Sequence, residues 1–190
     1  MIGRLFRLAA AGVVAAFVID RILATRRGSE PPPPIRSMVA IDAPIERVWA
    51  ELADIEGQPR WMTEMKAVRI TTPGPVGVGT RGEADVRILG IGVSDPVEIV
   101  AFEPPHRFAI RHEGVFTGGG VIELQPGSDG RSTIVMWDET LVPPILPELG
   151  ALVGRPILGA IFQADLHRFR ELLETPPPGP AAALDAAPPA

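Results

Sequence analysis

The sequence predicts an α+β domain: a curved antiparallel sheet of about seven strands wrapped on a long C-terminal helix, with a hydrophobic helix at the N-terminus. Three observations carry that expectation. From residue 66 to residue 141, short alternating segments are joined by Pro/Gly turns too brief for the crossover that parallel strands require. Beyond Pro143-Pro144, Leu158, Phe162, Leu166, Phe169 and Leu173 follow one helical face that must be covered. Ahead of the sheet, Ile45, Val48, Trp49, Leu52 and Ile55 make a second apolar stripe at helical spacing.

The 190 residues are 46% hydrophobic and 22% charged, which suits one globular domain with appendages. There is no cysteine, which excludes disulfides, thiolate nucleophiles and cysteine-ligated metals. Five of the 18 basic residues and one of the 23 acidic residues lie in residues 1–27, so the remainder carries 13 basic against 22 acidic groups. With Lys66 the only lysine and the arginines scattered, the chain lacks the clustered positive charge a nucleic-acid partner needs.

Leu8 to Ile19 is an unbroken apolar run, flanked by Arg4 and Arg7 before it and by Arg21, Arg26 and Arg27 after it. Those twelve residues alone cover only about 18 Å as a helix. Leu5 to Ala24 reaches roughly 30 Å if the flanking arginines snorkel. An uncleaved anchor, a cleaved signal and a helix packed on its own domain all compete. The absence of an Ala-x-Ala site disfavours cleavage, and the anchor is the preferred reading. Three basic residues after the run against two before it place the domain on the cytoplasmic side. The expected organisation is an anchor helix over 1–27, a proline-rich spacer over 28–35, a globular domain over 36–174 and a disordered Pro/Ala-rich tail over 175–190.

Within the domain, the first strand is expected over 36–42. Asp42 stands where an N-cap would, Pro44 suits a first helical turn, and Gly57 suits a stop. Further strands are expected over 66–72, 80–89, 96–103, 107–113, 120–125 and 132–141. In the third, Gly82, Ala84, Val86 and Ile88 share one face. Pro147, Gly150, Gly154, Pro156 and Gly159 predict an irregular entry to the last helix, with firm helix from about Ile157.

This order, together with particular phrases, resembles the helix-grip fold of the SRPBCC superfamily. The phrases are Ile41-Asp-Ala-Pro-Ile-Glu-Arg-Val-Trp-Ala-Glu-Leu, Trp61, Pro75-Val-Gly-Val-Gly-Thr-Arg, Glu103-Pro-Pro-His-Arg-Phe and Gly130-Arg-Ser-Thr, and they are similar to members of the START and polyketide cyclase/dehydrase or lipid-transport type. The resemblance covers about residues 36–174 and implies a hydrophobic ligand held between the sheet and the C-terminal helix. Its motifs mark the fold and not a shared active site.

Gly77-Val-Gly-Thr-Arg-Gly82 matches G-x-G-x-x-G, but no strand precedes it and no helix follows, so it reads as a glycine turn entering a strand. Gly118-Gly-Gly reads as a bulge or close-packing point. Alternation places His112 on the face of Phe108 and Ile110, as a possible ligand contact or a histidine satisfied by a nearby carboxylate. His106 and His167 do not converge with it, so no metal is expected. Asp165 flanks the last helix's apolar face, either looking into the cavity or, as the preferred state, solvated or paired with Arg168 or Arg170. Around Trp137 the register stays open: either Trp137 and Glu139 face inward together, or Asp138 does.

The expected ligand-binding residues are His112, Phe108, Ile110, Val86, Ile88, Leu158, Phe162 and Phe169, with no cofactor. No Ser/His/Asp order or paired catalytic carboxylates stands out, which favours a membrane-tethered carrier of a lipid-like or polycyclic molecule. The alternatives are a cyclase/aromatase-type enzyme in the same cavity, and an anchored interaction module with a filled core.

Overall fold

A computed structural model describes residues 2–88 and 90–175; most of the expected Pro/Ala tail therefore lies outside the described residues. The chain forms α1 (Ile2–Arg27), β1 (Ile35–Ile41), α2 (Ile45–Leu52), a 3₁₀ helix (Ile55–Arg60), and then β2 (Met65–Ile70), β3 (Arg81–Ile88) and β4 (Ile91–Glu103). β5 (Arg107–Glu113), β6 (Thr117–Pro126), β7 (Thr133–Val142) and α3 (Pro147–Glu174) follow. The seven strands make one antiparallel sheet in the order β1-β7-β6-β5-β4-β3-β2. β1 and β2 are thus the two edges, joined by α2 and the 3₁₀ helix. The sheet curls into a half-barrel around its apolar face, and α3 packs across that face against β1 and β7.

β1 shows why the sheet has one dry side: Ile35, Ser37, Val39 and Ile41 are buried, and the residues between them are exposed. Val48 and Leu52 of α2 are fully buried, and Trp49 meets Phe102 edge-on at 5.2 Å. Trp61, just past the 3₁₀ helix, stacks on Phe169 of α3 at 4.5 Å and closes one end of the interior. Such side chains each contribute about 1.5–3 kcal/mol when removed from water.

Several local expectations are corrected. Pro44, not Asp42, occupies the position before α2, and no side chain caps it; the Asp42 N–H instead donates to Glu174 at the end of α3. α2 stops at Leu52, so Gly57 sits inside the 3₁₀ helix, where a Cβ would collide with the Asp54 and Arg60 side chains. α3 is helical from Pro147 and not only from Ile157. Pro147 fits the first turn, where no N–H partner is needed, and Pro156 forgoes one internal bond.

β4 begins at Ile91, five residues before its expected start at Pro96. β5 pairs with β4 only from Val97 onward, so the N–H missing from Pro96 falls beyond that ladder. β6 runs through all three glycines. A Cβ on Gly118 or Gly119 would press on the backbone carbonyls of Thr140 or Ile110, the close packing anticipated there.

Asp20 of α1 is buried, and its carboxylate accepts the Glu148 and Leu149 N–H groups at 2.9 Å each, capping α3 from another helix. Arg27 pairs with Glu148 beside it. The rest of α1 leaves Leu8, Val13, Val14, Phe17 and Val18 exposed.

Candidate functional site: an apolar cavity with a charged cluster

Between the curled sheet and α3 lies a cavity of about 400 Å³, within the usual range for small-molecule sites. Alternation along β3 turns Ala84, Val86 and Ile88 into it, and alternation along β5 does the same for Phe108, Ile110 and His112. α3 supplies Leu158, Ile161 and Phe162, within about one turn on one face. The cavity reaches exposed residues at Ile91, at the start of β4, and at Ile157.

Seven of the eight residues expected at a ligand site line this space; Phe169 does not. It lies about two turns beyond Phe162, where Trp61 fills the interior, and it is wholly buried in that contact. The registers left open also resolve. Trp137 and Glu139 face inward, 6% and 3% exposed, whereas Asp138 points outward to Arg36 at 2.6 Å.

One wall carries an arrangement that the sequence did not assemble. His112 lies between two carboxylates, its Nδ1 2.5 Å from Asp95 and its Nε2 3.0 Å from Glu139. Trp137 Nε1–H donates to the other Glu139 oxygen at 3.0 Å. Burial alone would push the imidazole pKa down; the hydrogen bonds to Asp95 and Glu139 and their charges outweigh it and raise the pKa to about 9. The ring is therefore an imidazolium at neutral pH, donating from both nitrogens, which leaves neither free to ligate a metal.

Asp95 escaped the sequence reading because the strand was begun at Pro96. Extending it back puts Val93, Asp95 and Val97 on one face, and all three line the cavity. Gly120 gives Glu139 its room, since a Cβ there would stand 2.3 Å from Oε2.

Asp165 is not solvated: it is 2% exposed and on the cavity wall, accepting the Thr63 N–H at 3.2 Å while keeping the expected pair with Arg168 at 3.3 Å. Burial pushes its carboxyl up to about 7, opposed by the Thr63 N–H and reinforced by the charge of Glu64.

An apolar cavity between a half-barrel sheet and a C-terminal helix defines the START/SRPBCC-like class of fold. Residues 34–174 match the family described as Polyketide cyclase / dehydrase and lipid transport, and the chain belongs to that family. It is 30% identical over 142 residues to uncharacterized proteins of Mycobacterium tuberculosis and Mycobacterium bovis, covering 71% of this chain and 81% of each relative. Among solved structures it resembles a protein from Deinococcus radiodurans at 26% identity and a TM-score of 0.56, over 73% of this chain and 95% of that one. A START superfamily protein from Mycobacterium smegmatis shares the fold with a TM-score of 0.62 at 17% identity, over 75% of this chain and 98% of that one.

Proposed function

We propose that this protein is a membrane-tethered binding or transport protein for a hydrophobic small molecule, lipid-like or polycyclic, held in the cavity between the sheet and α3. The observation that carries the reading is the cavity itself: about 400 Å³ of space walled mostly by apolar side chains. A filled-core interaction module would have no use for such a space.

The tether rests on α1, where residues 7–27 are long enough to cross a bilayer and contain an 18-residue window with a mean hydropathy of 1.9. α3 passes a similar length and composition test at 1.2, but it packs on the sheet as the domain's own helix. Asp20 and Arg27 fix the end of α1 against the start of α3, beside cavity-wall residues Gly150 and Ala151. A molecule dissolved in the bilayer would then have a short path to the cavity.

The second reading, a cyclase-type enzyme, is favoured by one observation: ionisable groups stand in the cavity wall. Both N–H groups of His112 are already given to carboxylates, so proton donation to a ligand carbonyl would first require breaking one of them. That places the carrier reading ahead.

Gly154 offers a direct test. It lines the cavity, and a Cβ there meets only Leu158 at 4.0 Å, so Gly154→Leu extends into the space while improving helix propensity. The full-length protein should bind a neutral apolar fluorophore saturably at one per chain, and Gly154→Leu should abolish binding without lowering the melting temperature. Binding that survives the substitution puts the site elsewhere. The tether is tested separately by fractionation: the full chain should stay with membranes through a high-salt wash, and a chain lacking residues 1–27 should not. A full chain that stays soluble removes the tether.

A further inference from the structure

The charged wall of the cavity specifies more than an apolar ligand. Asp95, Glu139 and His112 contain four carboxylate oxygens and two imidazole N–H groups, and their pairing is incomplete. Glu139 is satisfied at both oxygens, by His112 and by Trp137. Asp95 Oδ2 accepts from His112, whereas its Oδ1 is buried and has no partner among the described residues. Asp95 as a whole is only 9% exposed and lines the cavity.

A buried acceptor without a donor is unfavourable, and natural structures seldom leave one unless a ligand or solvent completes it. The space around both carboxylates is kept by glycines: a Cβ on Gly114 would stand 2.6 Å from Asp95 Oδ1, and one on Gly120 would stand 2.3 Å from Glu139 Oε2.

Charge points the same way. Two carboxylates against one imidazolium leave a net negative charge in an apolar enclosure. The arginines on the wall are engaged elsewhere, Arg155 with the Pro33 and Pro34 carbonyls and Arg81 with Glu98 at 2.9 Å.

We propose that Asp95, held in place by His112 and Glu139, forms a head-group subsite for the hydrogen-bond-donating end of an otherwise apolar ligand, preferring an amine to an alcohol and rejecting a carboxylate. This rests on the cavity being the ligand site. The donor is met by the Asp95 carboxylate, whose side chain turns its unpaired oxygen from Gly114 toward the cavity, and the apolar remainder lies along Phe108, Ile110 and Phe162. A cationic amine both completes the acceptor and offsets the residual charge. A hydroxyl completes the acceptor only, and a carboxylate does neither and adds like charge.

The test uses three ligands with one ten-carbon tail, decylamine, decanol and decanoate, and the full-length protein in a non-ionic amphipol at pH 7. Binding is read from tryptophan fluorescence, because Trp137 lines the cavity. Decylamine should bind at least tenfold more tightly than decanoate, with decanol between them. Asp95→Asn should weaken decylamine about tenfold and change decanol less than twofold, since the amide oxygen still accepts from a hydroxyl. Glu64→Gln, which alters the other unpartnered carboxylate of the wall, should leave the order unchanged.

Decanoate binding as tightly as decylamine overturns the subsite while leaving the cavity reading intact, and this comparison needs no variant to fold. Levelling of the series by Glu64→Gln and not by Asp95→Asn also overturns it. Failure of all three ligands and of a neutral apolar fluorophore overturns both the subsite and the cavity reading.

Discussion

Replacing Glu139 by Gln keeps the shape of the side chain and removes one of the two charges that hold His112. Gln can still accept the Trp137 N–H through its oxygen, but its NH₂ then faces the N–H of His112, donor against donor. A hydrogen bond to a charged group contributes about 1.5–3 kcal/mol, and the imidazolium loses that support. At about 1.4 kcal/mol per tenfold in proton affinity, the His112 titration midpoint should fall by about one to two pH units from its value of about 9.

The wild-type consequence is a stability profile. The folded-state pKa of His112 lies above its ordinary value of 6.5, so its contribution is fully present below pH 6.5 and is lost as pH rises through about 9. That contribution is about 3 kcal/mol, a large part of the roughly 5–15 kcal/mol that stabilises a domain. ¹⁵N-imidazole NMR of the full-length protein reads the midpoint directly, with only His106 and His167 as companions, and thermal denaturation at pH 6 and pH 9.5 reads the stability. A wild-type midpoint between 6 and 7, or one that Glu139→Gln does not move, refutes the clamped imidazolium.

Asp165 has a raised carboxyl, so its contribution is present below pH 3.8 and is lost as pH rises through about 7; Asp165→Asn should flatten the stability decline in that window and leave the His112 decline, as pH-dependent melting will show. Gly120→Ala places a methyl where Glu139 Oε2 stands, and should cost about 1–3 kcal/mol in denaturant melts and shift the His112 midpoint as well. Trp49→Ala should cost about 3–5 kcal/mol by the same assay, because the ring is 9% exposed and packs edge-on against Phe102. Asp20→Ala removes the cap that α1 lends to α3; the Glu148 and Leu149 amides should exchange faster with solvent while the sheet amides stay protected.

The sheet was legible because period-2 alternation and turn residues are local signals, and both long helices announced themselves by apolar content. Phe162 and Phe169 show where that legibility ends. They lie on the same helical stripe, yet one borders open space and the other is stacked on Trp61, and only the tertiary position of the 3₁₀ segment separates them. Asp95 was hidden by Pro96, which punctuates a strand in sequence but sits harmlessly where β4 outruns β5. Asp165 could be read as cavity-facing or as a solvated partner of the arginines that follow it, and only Thr63, far away in sequence, decides that it turns inward while keeping Arg168. The Trp137 register could not be read from alternation, since apolar and acidic residues occupy both faces of that stretch. A buried charge cluster is visible only when all its members meet.

The central claim is that the cavity holds an apolar molecule, and native mass spectrometry of the full-length protein after gentle extraction from membranes tests it most directly. The predicted result is a single small-molecule adduct per chain, lost in Gly154→Leu, whose extracted ligand has an apolar body and a hydrogen-bond-donating end. A chain that carries no adduct, and acquires none when saturated with neutral apolar ligands, would contradict the account.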